Sequence, residues 1–322
     1  VSAGARPRVI LADDHPRFLV AASALLAQSC EVLAAVGNGT SAVDAAVRLQ
    51  PDVAILDVAM PDVDGFETCS RIRSSGSDAR VLFLSNHVGD DIVLESLARG
   101  ASGFVAKSQV ARDLVHAVGH VHAGRAFVPT AGLLSRSRRL DGRRHYVQLH
   151  STDATLVDGA VAFLNGALEC GDSIMAVATA AHREAIHRQL AARGHDLVRL
   201  AYNGRYISAD VEAAVDAILR NGTIDHEEFV GTFDSLLEPA LRAAIGSPPH
   251  VSVFGELAAV LHARGLDDAM LELEQMADPF IATRSISILC TCATALCRTN
   301  GDDLAASVCH AHETVVPGWA VW

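Results

Sequence analysis

The sequence predicts two α/β units in tandem, the first a doubly wound parallel sheet of five strands. Three observations carry that expectation. Short β-branched runs alternate with amphipathic stretches from Arg8 onward, the texture breaks over residues 124–145, and the alternation then resumes across the remainder of the 322 residues. At roughly 150 residues per domain, a chain of this length holds two cores.

The strands expected in the first unit are Arg8–Ala12, Glu31–Val36, Val53–Asp57, Val81–Ser85 and Gly103–Ala106, with helices near 16–28, 40–49, 65–74, 90–99 and 108–123. Such alternation builds right-handed crossovers, so the sheet is parallel and covered on both faces. Gly100 follows the fourth helix, where a left-handed cap suits glycine. Residues 124–145 then read GRAFVPTAGLLSRSRRLDGRRH, with Pro129 and the cluster Arg136, Arg138, Arg139, Arg143 and Arg144. The expected organisation is a first unit over 1–125, an Arg-rich linker over 126–145 and a second unit over 146–322.

In the second unit the pattern gives a helix near 153–168, a strand at Ser173–Ala178, a helix at 181–193 and a strand near Leu197–Ala201. Helices near 209–220 and 226–245, a strand at His250–Phe254, helices across 256–277, a strand at Ile286–Cys290 and a terminal helix near 302–313 follow. No internal repeat joins the two halves.

Composition excludes several classes. The 26 Lys and Arg residues against 38 Asp and Glu give a net charge of −12, unlike a protein that coats phosphate backbones nonspecifically. With half of the residues hydrophobic and 20% charged, the chain is not mostly disordered. No apolar run approaches the ~20 residues of a membrane span. Val1 to Arg8 carries no apolar stretch of the signal-peptide kind. Seven cysteines at irregular spacing do not make a disulfide scaffold. A cytoplasmic protein without a membrane partner is the resulting expectation.

The chemistry of the first unit gathers at the strand ends. Asp13 and Asp14 close the first strand and Asp57 closes the third. In a parallel sheet those positions converge at the carboxyl edge, where ligands bind. Three carboxylates in one small volume repel unless a hard divalent cation joins them, and Mg²⁺ is the natural candidate. Ser85 and Lys107, ending the fourth and fifth strands, add a hydroxyl and a fixed positive charge. Together these groups make a phosphoryl-transfer site, with one aspartate able to act as nucleophile. Any one acid alone would more often cap a helix or form a turn. Pro61 and Gly65 read as turn formers, and His15 and His87 as exposed loop residues.

The segments RVILADDHP, ILDVAMPDVDG, VLFLSNH and ASGFVAK resemble the signature of a response-regulator receiver domain, and HAGRAFVP resembles the exit of the NarL/FixJ class. The resemblance spans roughly residues 7–128 and implies a flavodoxin-like fold. It implies that Asp57 is the phosphoacceptor, that Asp13, Asp14, Asp57 and the backbone carbonyl of Ala59 hold Mg²⁺, and that Ser85 and Lys107 contact the phosphoryl group. Phe104 falls at the aromatic switch position. The implied partner is a sensor histidine kinase, and the implied role is that of a phosphoacceptor rather than an enzyme, with slow autodephosphorylation at most.

No DNA-reading helix-turn-helix module follows. Instead FLNGALECGDSIMAVATAAHREAIHRQL, VSVFGELAAVLHARGLDDAMLELEQM, SISILCTC and VCHAHETVV resemble the sensory domain named for methanogens, methylotrophs and the dichloromethane-responsive regulator, the MEDS domain. That resemblance implies a RecA-like α/β core and a small-molecule or regulatory-protein partner. A nucleotide-binding version needs a Gly-rich loop ending in Lys and Ser or Thr after its first strand. Residues 178–183 read ATAAHR, so the unit lacks a P-loop.

Three further features invite a chemical reading. Asn221 to Glu228 imitates half of a calcium loop, but Ala217 and Leu219 stand where its first and third ligands belong, so a helix-turn-helix connection is the better account. Glu256 after an apolar strand reads as a helix-capping charge. Cys290, Cys292, Cys297, Cys309, His310 and His312 form a dense group without standard metal spacing, so buried core thiols are favoured over a metal or redox sensor. The leading expectation is a two-component regulator. Its alternatives are an atypical DNA-binding output using the Arg cluster, or sensing through the Cys/His group. Phosphorylation-linked homodimerisation stays open.

Overall fold

The computed structural model describes residues 6–87, 89–128, 134, 144–293, 311–312 and 314–316, and the chain divides into two compact units, Val1–Pro129 and Thr130–Trp322. In the first unit the elements run β1 (Arg8–Ala12), α1 (Pro16–Leu26), β2 (Glu31–Val36), α2 (Gly39–Leu49), β3 (Val53–Asp57) and α3 (Gly65–Ser74). Then come β4 (Arg80–Ser85), α4 (Asp90–Ala98), β5 (Gly103–Ala106), α5 (Val110–His122) and a two-residue β6 (Ala126–Phe127). The strands lie in the order β2-β1-β3-β4-β5-β6, every pair parallel.

The five expected strands are therefore present, and a sixth pairs Phe127 with Gly103 inside the segment read as linker. β3 and β5 are buried along their whole length, as continuous apolar runs in a doubly covered parallel sheet must be. Asn38 and Asp64 cap α2 and α3 by accepting from Ser41 N–H and Glu67 N–H at 2.8 Å each.

The second unit runs β7 (His145–His150), α6 (Asp153–Glu169), β8 (Ser173–Ala178), α7 (Ala180–Ala192), α8 (Leu197–Tyr202), β9 (Tyr206–Asp210) and α9 (Val211–Ile218). It continues with β10 (Leu219–Arg220), β11 (Thr223–Ile224), α10 (His226–Ala243), β12 (Val251–Gly255), α11 (Leu257–Ala263), α12 (Asp267–Ala282), β13 (Ile286–Ala293) and β14 (Thr314–Val316). Its main sheet is parallel throughout, ordered β14-β7-β13-β12-β8-β9. Phe229, Phe233 and Phe280 meet on one side of it, with ring centroids 5.0 to 6.4 Å apart.

Four sequence expectations change. The strand placed at Leu197–Ala201 is helical, because Asp196 caps it by accepting from Arg199 N–H at 3.0 Å; the strand begins after the Gly204 turn, at Tyr206. The connection read as helix-turn-helix is a β10–β11 hairpin, since Asn221 and Gly222 both take positive φ, 51° and 86°, as a type I′ turn requires. The helices expected across 256–277 are two, separated at Gly265, and the second runs on past 277 to Ala282. Finally, β7 begins this sheet, so the loop after the unit's first strand is Ser151-Thr152, not residues 178–183. That loop also lacks Gly and Lys, and Thr152 forms a capping box with Thr155. The terminal helix expected near 302–313 falls mostly outside the described residues.

β7 carries a buried amide. Gln148 donates to the Thr155 carbonyl at 2.7 Å and lies so close to α6 that a Cβ on Gly159 would sit 2.1 Å from it. Just before β13, Arg284 forks onto Asp234 at 2.6 and 2.7 Å and stacks on Phe280 at 3.8 Å. The hydrogen bond from Arg284 holds the Asp234 carboxyl below its ordinary range, against partial burial. A carboxyl with a depressed folded-state pKa stabilises above its unfolded value and loses that contribution as pH falls through the folded one. Asp234→Asn should therefore cost about 1 kcal/mol at neutral pH, the size of a part-exposed bidentate pair. The gap from wild type should shrink below about pH 4, as read by urea denaturation across pH; a gap constant to pH 3 would refute the ion pair as its source.

Candidate functional site

At the carboxyl edge of the first sheet, Asp13 follows β1, Asp57 ends β3, Ser85 ends β4 and Lys107 follows β5. Lys107 Nζ lies 2.7 Å from Asp13 Oδ2 and 2.7 Å from Asp57 Oδ2, and all three side chains are buried. Burial pushes the Asp57 carboxyl up from its ordinary value and the Asp13 charge adds to that. The hydrogen bond and charge of Lys107 and the Ala59 N–H pull it down without cancelling the rise. For Lys107, burial works against the charge, and the hydrogen bonds and charges of Asp13 and Asp57 overcome it, raising the ammonium pKa.

Asp13, Asp14, His15 and Asp57 each offer a ligand atom, all within 4.8 Å of one another. Asp13 Oδ2 faces the Lys107 ammonium and Asp14 Oδ1 faces His15 Nδ1, each at 2.7 Å, so both oxygens already point at positive or donor groups and a cation would share them. The carboxylate set suits a hard ion of the Mg²⁺ kind. His15 is exposed, as expected, yet its Nδ1 reaches Asp14 Oδ1 at 2.7 Å. Ser85 Oγ accepts from His87 N–H at 3.0 Å, and Phe104 is fully buried on β5 in register with Phe83.

Two neighbours escaped the sequence reading. Phe18 on α1 places its ring 5.0 Å from Lys107 Nζ, a cation–π contact that holds the ammonium in place. Gly65 is more than a turn former: its N–H donates to Val58 O at 2.9 Å, and a Cβ there would stand 2.2 Å from the Asp57 carbonyl. Only a residue without a side chain lets α3 start against the acceptor strand.

In the second unit a cavity of about 670 Å³ opens at the carboxyl ends of β7, β8, β12 and β13, lined by His150, Thr179, His182, Glu256, Met270 and Cys292 among others. Glu256 does not cap its own helix, α11. Its Oε2 accepts from Thr179 N–H at 2.7 Å and its Oε1 meets His182 Nδ1 at 2.5 Å, so the carboxylate sits at the start of α7. Burial, reinforced by His182 and opposed by Asp153, lowers the pKa of His150. At the other end of the sheet His145, Glu274, Cys290 and His312 cluster within 4.8 Å. Burial pushes the Glu274 carboxyl up to about 7, opposed by His145 and reinforced by Asp278. Cys290 thus has polar company rather than a plain core setting. Cys297, Cys309 and His310 lie outside the described residues, as do Arg136, Arg138, Arg139 and Arg143; Arg144 donates to Arg284 O at 2.8 Å.

Residues 9–119 match the family model of the response regulator receiver domain, and residues 144–313, just over half of the chain, match that of MEDS, the MEthanogen/methylotroph, DcmR Sensory domain. The chain belongs to the MEDS family, with a response regulator receiver domain ahead of it.

Relatives of the receiver domain include the DNA-binding transcriptional activator DevR/DosR of Mycobacterium tuberculosis, 35% identical over 138 residues, which are 42% of this chain and 63% of that protein. The probable transcriptional regulatory protein NarL of the same species is 36% identical over 38% of this chain and 57% of its own length. The chain thus spans less than two thirds of these regulators. Among solved structures, a LuxR-family two-component response regulator from Aurantimonas sp. SI85-9A1 matches at 30% identity and a TM-score of 0.37, covering 38% of this chain and 89% of that one. Among the described residues of the receiver and MEDS units, no helix is long and apolar enough to cross a membrane.

Proposed function

We propose that Asp57 of the receiver domain accepts a phosphoryl group from a partner histidine kinase, with Mg²⁺ held by Asp13, Asp14, Asp57 and the Ala59 carbonyl. The observation that carries this reading is the buried Asp13–Lys107–Asp57 bridge, with 2.7 Å on each side. A carboxylate oxygen of Asp57 attacks phosphorus as the bond to the donor breaks, leaving an acyl phosphate on Asp57. Lys107 then turns its charge from the carboxylate to the new phosphoryl oxygens, and the Ser85 hydroxyl donates to one of them. The cation, when bound, neutralises the charge that builds on those oxygens. Release of Ser85 from His87 N–H and movement of Phe104 relay the change to the α4–β5 face.

The MEDS unit reads a small ligand, or a regulatory protein, through its carboxyl-end cavity. A site of about 670 Å³ with a few convergent polar groups has the size and character of a small-molecule pocket.

Incubation of the full chain with acetyl phosphate and Mg²⁺ tests the first part. One phosphoryl group per chain is expected on a phosphate-affinity gel, and none in Asp57→Asn. Equal labelling of that variant, or no labelling of the wild type, would falsify the acceptor assignment.

A further inference from the structure

We propose that His145 Nε2, a carboxylate oxygen of Glu274, Cys290 Sγ and His312 Nε2 form a tetrahedral Zn²⁺ site at the amino end of the MEDS sheet. Two come from adjacent strands, one from the approach to a third and one from a helix. His145 opens β7, Cys290 lies on the neighbouring β13, and His312 stands two residues before β14 on the other side; Glu274 reaches in from α12. His145, Glu274 and His312 are buried.

The spacing is that of a coordination shell. Bonds of about 2.0–2.1 Å to nitrogen or oxygen and about 2.3 Å to sulfur, at tetrahedral angles, separate N and O ligands by about 3.3 Å and N from S by about 3.6 Å. Glu274 Oε2 is 3.6 Å from His145 Nε2 and 3.2 Å from His312 Nε2, and Cys290 Sγ is 3.7 Å from His145 Nε2. The 3.6 Å between Glu274 Oε2 and His145 Nε2 is too long for a hydrogen bond, and all three separations match atoms sharing one ion.

The shell around the cluster is also arranged for a metal. His145 Nδ1 is 2.8 Å from Asp278 Oδ1, so the ring proton belongs on Nδ1 and the Nε2 lone pair faces the cluster. Glu274 Oε2 has no hydrogen-bond partner, and a buried carboxylate oxygen left so is costly unless a cation meets it. One thiolate, two imidazoles and one carboxylate suit a borderline-soft ion such as Zn²⁺ rather than Mg²⁺ or Ca²⁺. Four protein ligands close the shell, the mark of a structural centre that pins α12 across three strands.

The test uses the full chain stripped by chelation, with Co²⁺ as the spectroscopic probe. One equivalent should give the intense visible bands of tetrahedral cobalt and a thiolate-to-metal charge-transfer band, and Zn²⁺ should displace both. Receiver variant Asp13→Asn should keep the whole spectrum, separating this site from the receiver's carboxylate cluster. Cys290→Ser should abolish the charge-transfer band and weaken binding at least 100-fold. Should that variant fail to fold, the half-exposed Asp278→Asn decides, with an affinity loss of about 10- to 100-fold expected for an orienting carboxylate. A purely octahedral cobalt spectrum, no binding at one equivalent, or wild-type spectrum and affinity in both Cys290→Ser and Asp278→Asn overturns the proposal.

Discussion

Gly65→Ala is expected to cost the receiver domain about 3 kcal/mol and to slow acetyl phosphate labelling of Asp57 about 100-fold. The added methyl would lie 2.2 Å from the Asp57 carbonyl oxygen and 2.9 Å from Val58 Cα, and neither backbone atom can swing aside as a side-chain tip would. Overpacking of this kind costs about 1–3 kcal/mol, and a rigid obstacle belongs at the top of that range. The strain also has an address. Relief requires α3 to back away or the end of β3 to move, and a displacement near 1 Å at a reacting group is enough for a loss of about 100-fold. Urea denaturation and a labelling time course measure the two effects. A variant within about 0.5 kcal/mol of wild type and labelled at its rate would show that the close approach constrains nothing.

Lys107→Met should make the receiver domain depend on Mg²⁺ for its stability. In the native chain the ammonium is the positive charge set between Asp13 and Asp57, 2.7 Å from each. Removing one partner from a buried charge network costs about 3–5 kcal/mol, because the remaining charges keep their desolvation penalty. A divalent cation can fill that electrostatic role. With chelator present, the variant should unfold at a markedly lower urea concentration than wild type, and millimolar Mg²⁺ should restore most of the difference. Apparent Mg²⁺ affinity should rise at least 10-fold, since no ammonium competes for the carboxylates. Equal stability of the two chains in chelator, or no Mg²⁺ rescue of a destabilised variant, counts against the bridge as the organising contact.

The receiver half was legible because its signals are local. Val53–Asp57 is a continuous apolar run closed by an acid, and both the strand and the position of Asp57 follow from that pattern. β7 hid for the opposite reason. HYVQLH places His145 and Gln148 inside, and what satisfies them is Asp278, 133 residues away, and a carbonyl on α6, neither of which marks the sequence around the strand. The stretch LVRLA is short enough to read as either element, and the cap at Asp196 decides for helix. Glu274 looked like any acid on an amphipathic helix; only the fold turns it inward. Asn221-Gly222 is also a local signal, since that dipeptide announces a hairpin on its own.

Glu256 has a consequence for what the MEDS cavity can admit. Helix starts attract anions through their free N–H groups and the positive end of the helix dipole. At the start of α7 a carboxylate of the chain itself already occupies that position, taking the Thr179 N–H and His182 Nδ1. A phosphorylated guest would have to evict a covalently tethered rival and then share the pocket with it. If the proposed cavity takes a ligand, that resident anion disfavours anionic guests and favours neutral or positively charged ones.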